Sequence, residues 1–124
     1  MAAFELIEDR HAVYKETSAL SMIADNAWNA GIVLGAPRAF PASMEPNGLA
    51  GTMKRNGAVE ATGKTDDPFG ALAWLANLAV DRGRPMRAGM VVITGSLVAT
   101  VDIAPGERLD FAIEGVGEVS MTAR

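Results

Sequence analysis

RLDFAIEGVGEVSMTA, residues 108–123, decides the fold class. Leu109, Phe111 and Ile113 recur at every second position, the spacing of a strand with one face on a core and the other in water. Gly115 to Gly117 turns the chain into a second strand, EVSMTA, and Pro105-Gly106 turns it on entry. Further back, LAGTMKRNGAVEATG (49–63) reads as another hairpin, with Asn56-Gly57 as the turn between two short strands. MVVITG (90–95) and LVATVDI (97–103) are continuous apolar runs and are expected to be buried strands. Between the two groups lies the clearest helix, DDPFGALAWLANLAVDRG (66–83). Asp66 or Asp67 supplies its N-cap, Pro68 suits its first position and Gly83 its stop, so the helix is expected over about 68–82. Phe69, Leu72, Leu75, Ala76 and Ala79 form one apolar stripe, which predicts packing on a core.

The N-terminal part is less regular. Residues 4–8 read as a strand, and GIVLG (31–35) as a short one between glycines. SALSMIADNAWNAG has helical spacing, although Asp25-Asn26 also suits a turn. APRAFPASMEPNG (36–48), with three prolines, is a surface loop or an edge segment. The whole is expected to be a single domain, 1–124, of α+β class and mainly β. The apolar run directly after Met1 suggests a chain that starts inside a larger architecture.

Composition bounds the chemistry. The chain has 124 residues, 49% of them hydrophobic, and a net charge of −4. That charge argues against nucleic-acid and anionic-membrane partners, which call for a basic face. There is no cysteine, so disulfides, thiolate metal sites and cysteine nucleophiles are excluded. No apolar stretch reaches the ~18 residues of a membrane span, and the start lacks a signal-peptide pattern, so a cytoplasmic location is expected. No serine sits in a Gly-x-Ser-x-Gly elbow, and His11, the single histidine, lacks a second ligand at zinc spacing. No phosphate-loop pattern is present.

Carboxylates in apolar sequence are the remaining candidates. Glu5 stands in the middle of Ala2, Ala3, Phe4, Leu6 and Ile7. An ionised carboxylate removed from water costs several kcal/mol unless a cation or donor compensates it. Two readings follow for Glu5: an edge position open to water, or one oxygen ligand of a hard cation such as Mg²⁺. Glu8 and Asp9 read as a solvated strand end beside Arg10. Thr94-Gly95-Ser96 closes an apolar run, either as a tight turn or as a bend presenting backbone N–H groups to an anion.

The segments FELIEDRH, LSMIADNAWNAGIVLG and DDPFGALAWLANLAVDRGRPMRAGMVVITGSLVATVDIAPGERLDFAIEGVGEVSM resemble, in order, the C-terminal half of 2-keto-4-pentenoate hydratases. These belong to the fumarylacetoacetate hydrolase superfamily, together with 2-oxo-hept-4-ene-1,7-dioate hydratases and 4-oxalocrotonate decarboxylases. The resemblance implies the superfamily's mixed β-roll, here its C-terminal portion. It implies a Mg²⁺ or Mn²⁺ site of three carboxylates, with Glu5 matching the third, and the metal holding the 2-keto and carboxylate oxygens of the substrate. Asp25 and Asn26 match the family's Ala-Asp-Asn segment near the active site, and Thr94, Gly95 and Ser96 match the turn at the substrate's carboxylate end. The reaction implied is water addition to a 2-hydroxy-dienoate. The other two metal carboxylates, a Glu-x-Glu pair, and the lysine-bearing segment have no counterpart in these residues. The expectation is therefore a metal-dependent hydratase portion that is weak or inactive alone and is completed by an N-terminal half polypeptide. The alternative is a non-catalytic truncated module that binds at most a small 2-keto acid. A homo-oligomer, a dimer, is expected in either case.

Overall fold

The computed structural model describes residues 1–124. Six strands, two α-helices and two short 3₁₀ turns are arranged around two antiparallel sheets. The larger sheet has four strands in the order β4-β3-β5-β6: β3 is Ala50–Arg55, β4 Ala58–Lys64, β5 Arg108–Ile113 and β6 Gly117–Thr122. The alternation in 108–123 sets its register. Leu109 pairs with Met121 and Phe111 with Val119 across β5–β6, while Met53 faces Phe111 across β3–β5. Met53, Leu109, Phe111 and Val119 all point to one face and are buried there. Asn56 and Gly57 turn β3 into β4 with φ of 49° and 86°. Two successive left-handed residues make the tight hairpin whose twist matches the strands, which is why Asn-Gly is preferred there.

The smaller sheet is the hairpin of β1 (Ala3–Ile7) and β2 (Asn29–Leu34). It lies on the buried face of the larger sheet. Ala2 is 1% exposed, Phe4 and Val33 pack on the same core, and the Phe4 and Phe111 rings stand 6.0 Å apart. Gly35 marks the close approach: a Cβ there would overlap the carbonyl oxygen of Glu118 on β6.

Between the strands of the hairpin lie α1, Ala19–Ala24, and the 3₁₀ turn Asn26–Trp28. Ser18 caps α1 reciprocally with Ser21. The long helix α2 spans Pro68–Asp81, with Asp67 as N-cap accepting from the Gly70 N–H at 3.0 Å and Gly83 in the left-handed region at its end. Its entrance is tied down by Asn47, whose Oδ1 accepts from the Asp67 N–H at 2.7 Å, and by an edge-to-face contact of Phe40 with Phe69 at 5.3 Å. No helix is long and apolar enough to cross a membrane.

Two expectations are corrected. The runs 90–95 and 97–103 form no strands. A strand exists only when another backbone supplies its ladder partners, and no backbone group of Val91–Ile103 joins a backbone–backbone hydrogen bond. The segment still contributes side chains, since Leu97, Val98, Val101 and Ile103 pack against the core. The apolar stripe of α2 is likewise not buried in a core. No residue of the helix is fully buried, and Phe69 and Trp74 are half or more exposed. Amphipathic spacing shows that a face wants cover; it does not show that this chain supplies it.

Candidate functional site

The nominated N-terminal residues converge at one end of the β1–β2 hairpin. In β1 the inward face is taken by Phe4 and Leu6, so alternation turns Glu5 outward, where it is exposed. Burial is thus not what makes Glu5 notable. Its Oε1 accepts a 2.7 Å hydrogen bond from the Asn29 side-chain amide, at the start of β2. Pairing shifts register between Leu6 and Ile7, and this bulge sets Asn29 opposite Ile7.

The chain reaches Asn29 through an unusual path. Asn26, Ala27 and Trp28 have φ of 50°, 48° and 61°. Left-handed backbone costs an L-residue about 1–2 kcal/mol, so three in succession must be held by their surroundings. The Trp28 N–H donates to the Asp25 carbonyl and its own carbonyl accepts from the Glu8 N–H, both at 2.9 Å. The Trp28 ring also meets Tyr14 edge-on at 5.3 Å. Asn26 sends its side-chain amide to the Asn29 carbonyl at 3.5 Å.

Two polar pairs complete this end. Arg10 forms an ion pair with Asp25, not with the side chain of Asp9. Both partners are well exposed, so water screens the pair. Tyr14 donates its hydroxyl to Asp9 at 2.5 Å, and the His11 backbone N–H donates to the other Asp9 oxygen at 3.0 Å. The Tyr14 hydrogen bond first, then the His11 N–H, hold the Asp9 carboxyl below the usual carboxylate range. The carboxylate acceptor in turn raises the Tyr14 phenol.

Thr94, Gly95 and Ser96 are exposed and form neither turn nor bend, the bend falling on Leu97-Val98, and Gly95 has φ 135°. Ser96 turns its hydroxyl to the Val98 carbonyl at 2.5 Å, and no hydrogen bond links residues 94–96 to Glu5, Asp25 or Asn26. A shallow depression of about 300 Å³ on the larger sheet, lined by Thr52, Lys54, Asp110, Glu118 and Ser120 among others, contains none of the nominated residues. Asn29, Tyr14 and Trp28 are the residues that sequence reading missed. The one local signal was a polar Asn just ahead of an apolar strand.

The donor set is incomplete for a cation. Glu5 offers one carboxylate, and nowhere do three or more His, Asp or Glu side chains gather in a way that could hold a metal ion. A hard cation wants six or more oxygens, several of them from protein, so these residues alone do not fit the group. What the arrangement provides is a single carboxylate, oriented by an amide, beside a strained turn.

No family model matches the chain. It is 35% identical over 122 residues to a 2-hydroxyhexa-2,4-dienoate hydratase from Comamonas testosteroni, covering 95% of this chain and 46% of the relative. It is 38% identical over 102 residues to 2-keto-4-pentenoate hydratase 2 from Dechloromonas aromatica, covering 79% and 39%. The structure superposes with a TM-score of 0.85, at 29% identity, on the 4-oxalocrotonate decarboxylase of Pseudomonas putida G7 complexed with magnesium and adipate, covering 98% of this chain and 48% of the other. The chain therefore spans about half the length of the relatives it matches. Across nearly all of its own length it is a homologue of the 2-keto-4-pentenoate hydratases and 4-oxalocrotonate decarboxylases, and it carries the same α+β, mainly β fold.

Proposed function

We propose that this chain is the C-terminal portion of a Mg²⁺- or Mn²⁺-dependent hydratase-like lyase that adds water to a 2-hydroxy-dienoate, and that it has little or no activity alone. The observation that carries this reading is the match to a dienoate hydratase along 95% of the chain but only 46% of that relative. In the reading, Glu5 is one metal oxygen held in place by Asn29, Asp25 and Asn26 lie beside the reacting carbons, and the stretch Thr94-Gly95-Ser96 receives the substrate's carboxylate. The strained turn at 26–28 supports a functional role there, because such backbone persists where surroundings enforce it. When bound, the metal would supply Lewis-acid stabilisation of the enolate. The remaining ligands belong to the portion of the relatives that these residues do not match.

The test is reconstitution. The full chain is mixed with the unmatched part of the Comamonas testosteroni relative and Mg²⁺, and loss of the dienol absorbance is followed. Turnover by the mixture and none by either part is the expected result. No turnover by the mixture counts against the reading.

A second reading, a non-catalytic module that binds at most a small 2-keto acid, is favoured by the absence of any three-carboxylate group. Calorimetric titration of the lone chain with Mn²⁺ separates weak from tight binding. Tight stoichiometric binding would contradict both readings.

A further inference from the structure

The helix α2 carries an apolar line that its own chain leaves open. Phe69, Ala73, Ala76 and Val80 recur at spacings of four, three and four, which sets them along one side of the helix in the pattern of a helix–helix seam. Phe69 is 50% and Val80 61% exposed, and Ala73 is exposed between them. Leu72, Leu75 and Leu78, on another side, are half-buried. The chain also has area to lose. Its accessible surface is 8927 Å², whereas a compact monomer of 13.0 kDa exposes about 6,300 Å². That difference exceeds the roughly 800 Å² that each partner buries in a standard interface.

Charge says what covers the seam. The two ends of α2 differ in sign. Asp66 and Asp67 stand at its start, while Arg82, Arg84 and Arg87 follow its end, against the single Asp81. None of these charges enters an ion pair within the chain. A parallel neighbour of the same kind would set like charges together. An antiparallel one sets the acidic end of each helix beside the basic end of the other. A two-fold axis at the middle of the helix, between Trp74 and Leu75, meets both demands. It sets Phe69 against the partner's Val80 and Ala73 against the partner's Ala76, and alanines at the centre let the helices approach closely.

We propose that α2 is a self-association surface on which a second copy of this chain docks antiparallel, forming a two-fold dimer. The proposal stands apart from the hydratase reading, because the mass of the chain is measured without substrate or metal.

The experiment is sedimentation equilibrium of the full chain and its variants, with circular dichroism to check the fold. A species of twice 13.0 kDa is expected at high concentration, dissociating on dilution. Val80→Lys is expected to leave a monomer of unchanged ellipticity, since the position is exposed. Asp66→Arg and Arg84→Asp each place like charges at both ends of the pair and are expected to weaken it about tenfold. The double variant, carrying both changes in every copy, restores opposite charges and is expected to recover the dimer. Acid at the start and base at the end of a helix also offset its dipole, but a dipole role alone predicts the reverse, because the double variant has both ends wrong. A monomer at every concentration overturns the proposal. So does a dimer that Val80→Lys leaves intact, or a double variant that associates no more tightly than the single ones.

Discussion

Glu5 and Asn29 show how a residue's meaning depends on one contact. Twenty-four positions apart, they meet because β1 and β2 pair with a bulge, and the amide then engages Oε1 of the carboxylate. Partners that orient a metal ligand commonly account for 10- to 100-fold in affinity. Asn29→Ala is thus expected to weaken Mn²⁺ binding to the reconstituted unit by about 10- to 100-fold with little change in fold, as calorimetry and circular dichroism would show. Tyr14 gives a test needing no partner, because it is the chain's one tyrosine. The Asp9 carboxylate raises its ionisation, so the phenolate band should appear at higher pH than for free tyrosine. Asp9→Asn should bring it back down. The signs follow from linkage. The raised phenol stabilises the fold below the ordinary tyrosine range and ceases to as pH rises through its folded value. The lowered Asp9 stabilises above the ordinary carboxylate range, and that contribution fades as pH falls through its folded value. A phenolate band unmoved by Asp9→Asn would mean that the hydrogen bond is not formed in solution.

At the scale of elements, local chemistry and partnership part company. The helix α2 begins where Asp67 and Pro68 dictate and stops at Gly83, all within its own sequence. Replacing the cap by Asp67→Ala should cost about 0.5–2 kcal/mol and lower ellipticity in proportion to frayed first-turn residues. The segment after it obeys no such local rule. Its position depends on Gly63, whose missing Cβ leaves room for the Leu97 carbonyl. Gly63→Ala forces backbone to move, and the expected result is a lower melting temperature with faster proteolysis in 90–103. Unchanged proteolysis would show that the segment is held by other contacts. Arg55 braces the same region from β3. It pairs with Glu107 at 2.5 Å and donates to the Asp102 carbonyl at 2.9 Å, and Glu107 also accepts from the Ala104 N–H at 2.8 Å.

For the molecule as a whole, a small core must hold two sheets together. Five apolar residues are fully buried, and Phe111 joins both sheets through Met53, Val119 and Phe4. Phe111→Ala should destabilise by about 3–5 kcal/mol, comparable with the whole stability of a small domain. The variant is expected to be largely unfolded by urea titration, and a midpoint close to that of the parent would contradict this core assignment.

Sequence alone determined the elements whose cause is local. The alternation of Leu109, Phe111 and Ile113, the Asn56-Gly57 turn and the Asp67-Pro68 start each act within a few residues, so β3 to β6 and α2 are legible in the order of residues itself. The resemblance carried by residues 4–11, 20–35 and 66–121 pointed to the relatives that the comparisons found, hydratases and decarboxylases. Only tertiary structure decided the rest. It turned Glu5 to solvent, because the inward face of β1 already belonged to Phe4 and Leu6, and it brought Asn29 from 24 residues away. It also left 90–103 without a ladder and no residue of α2 buried, because pairing and burial are properties of two surfaces and cannot be read from the periodicity of one.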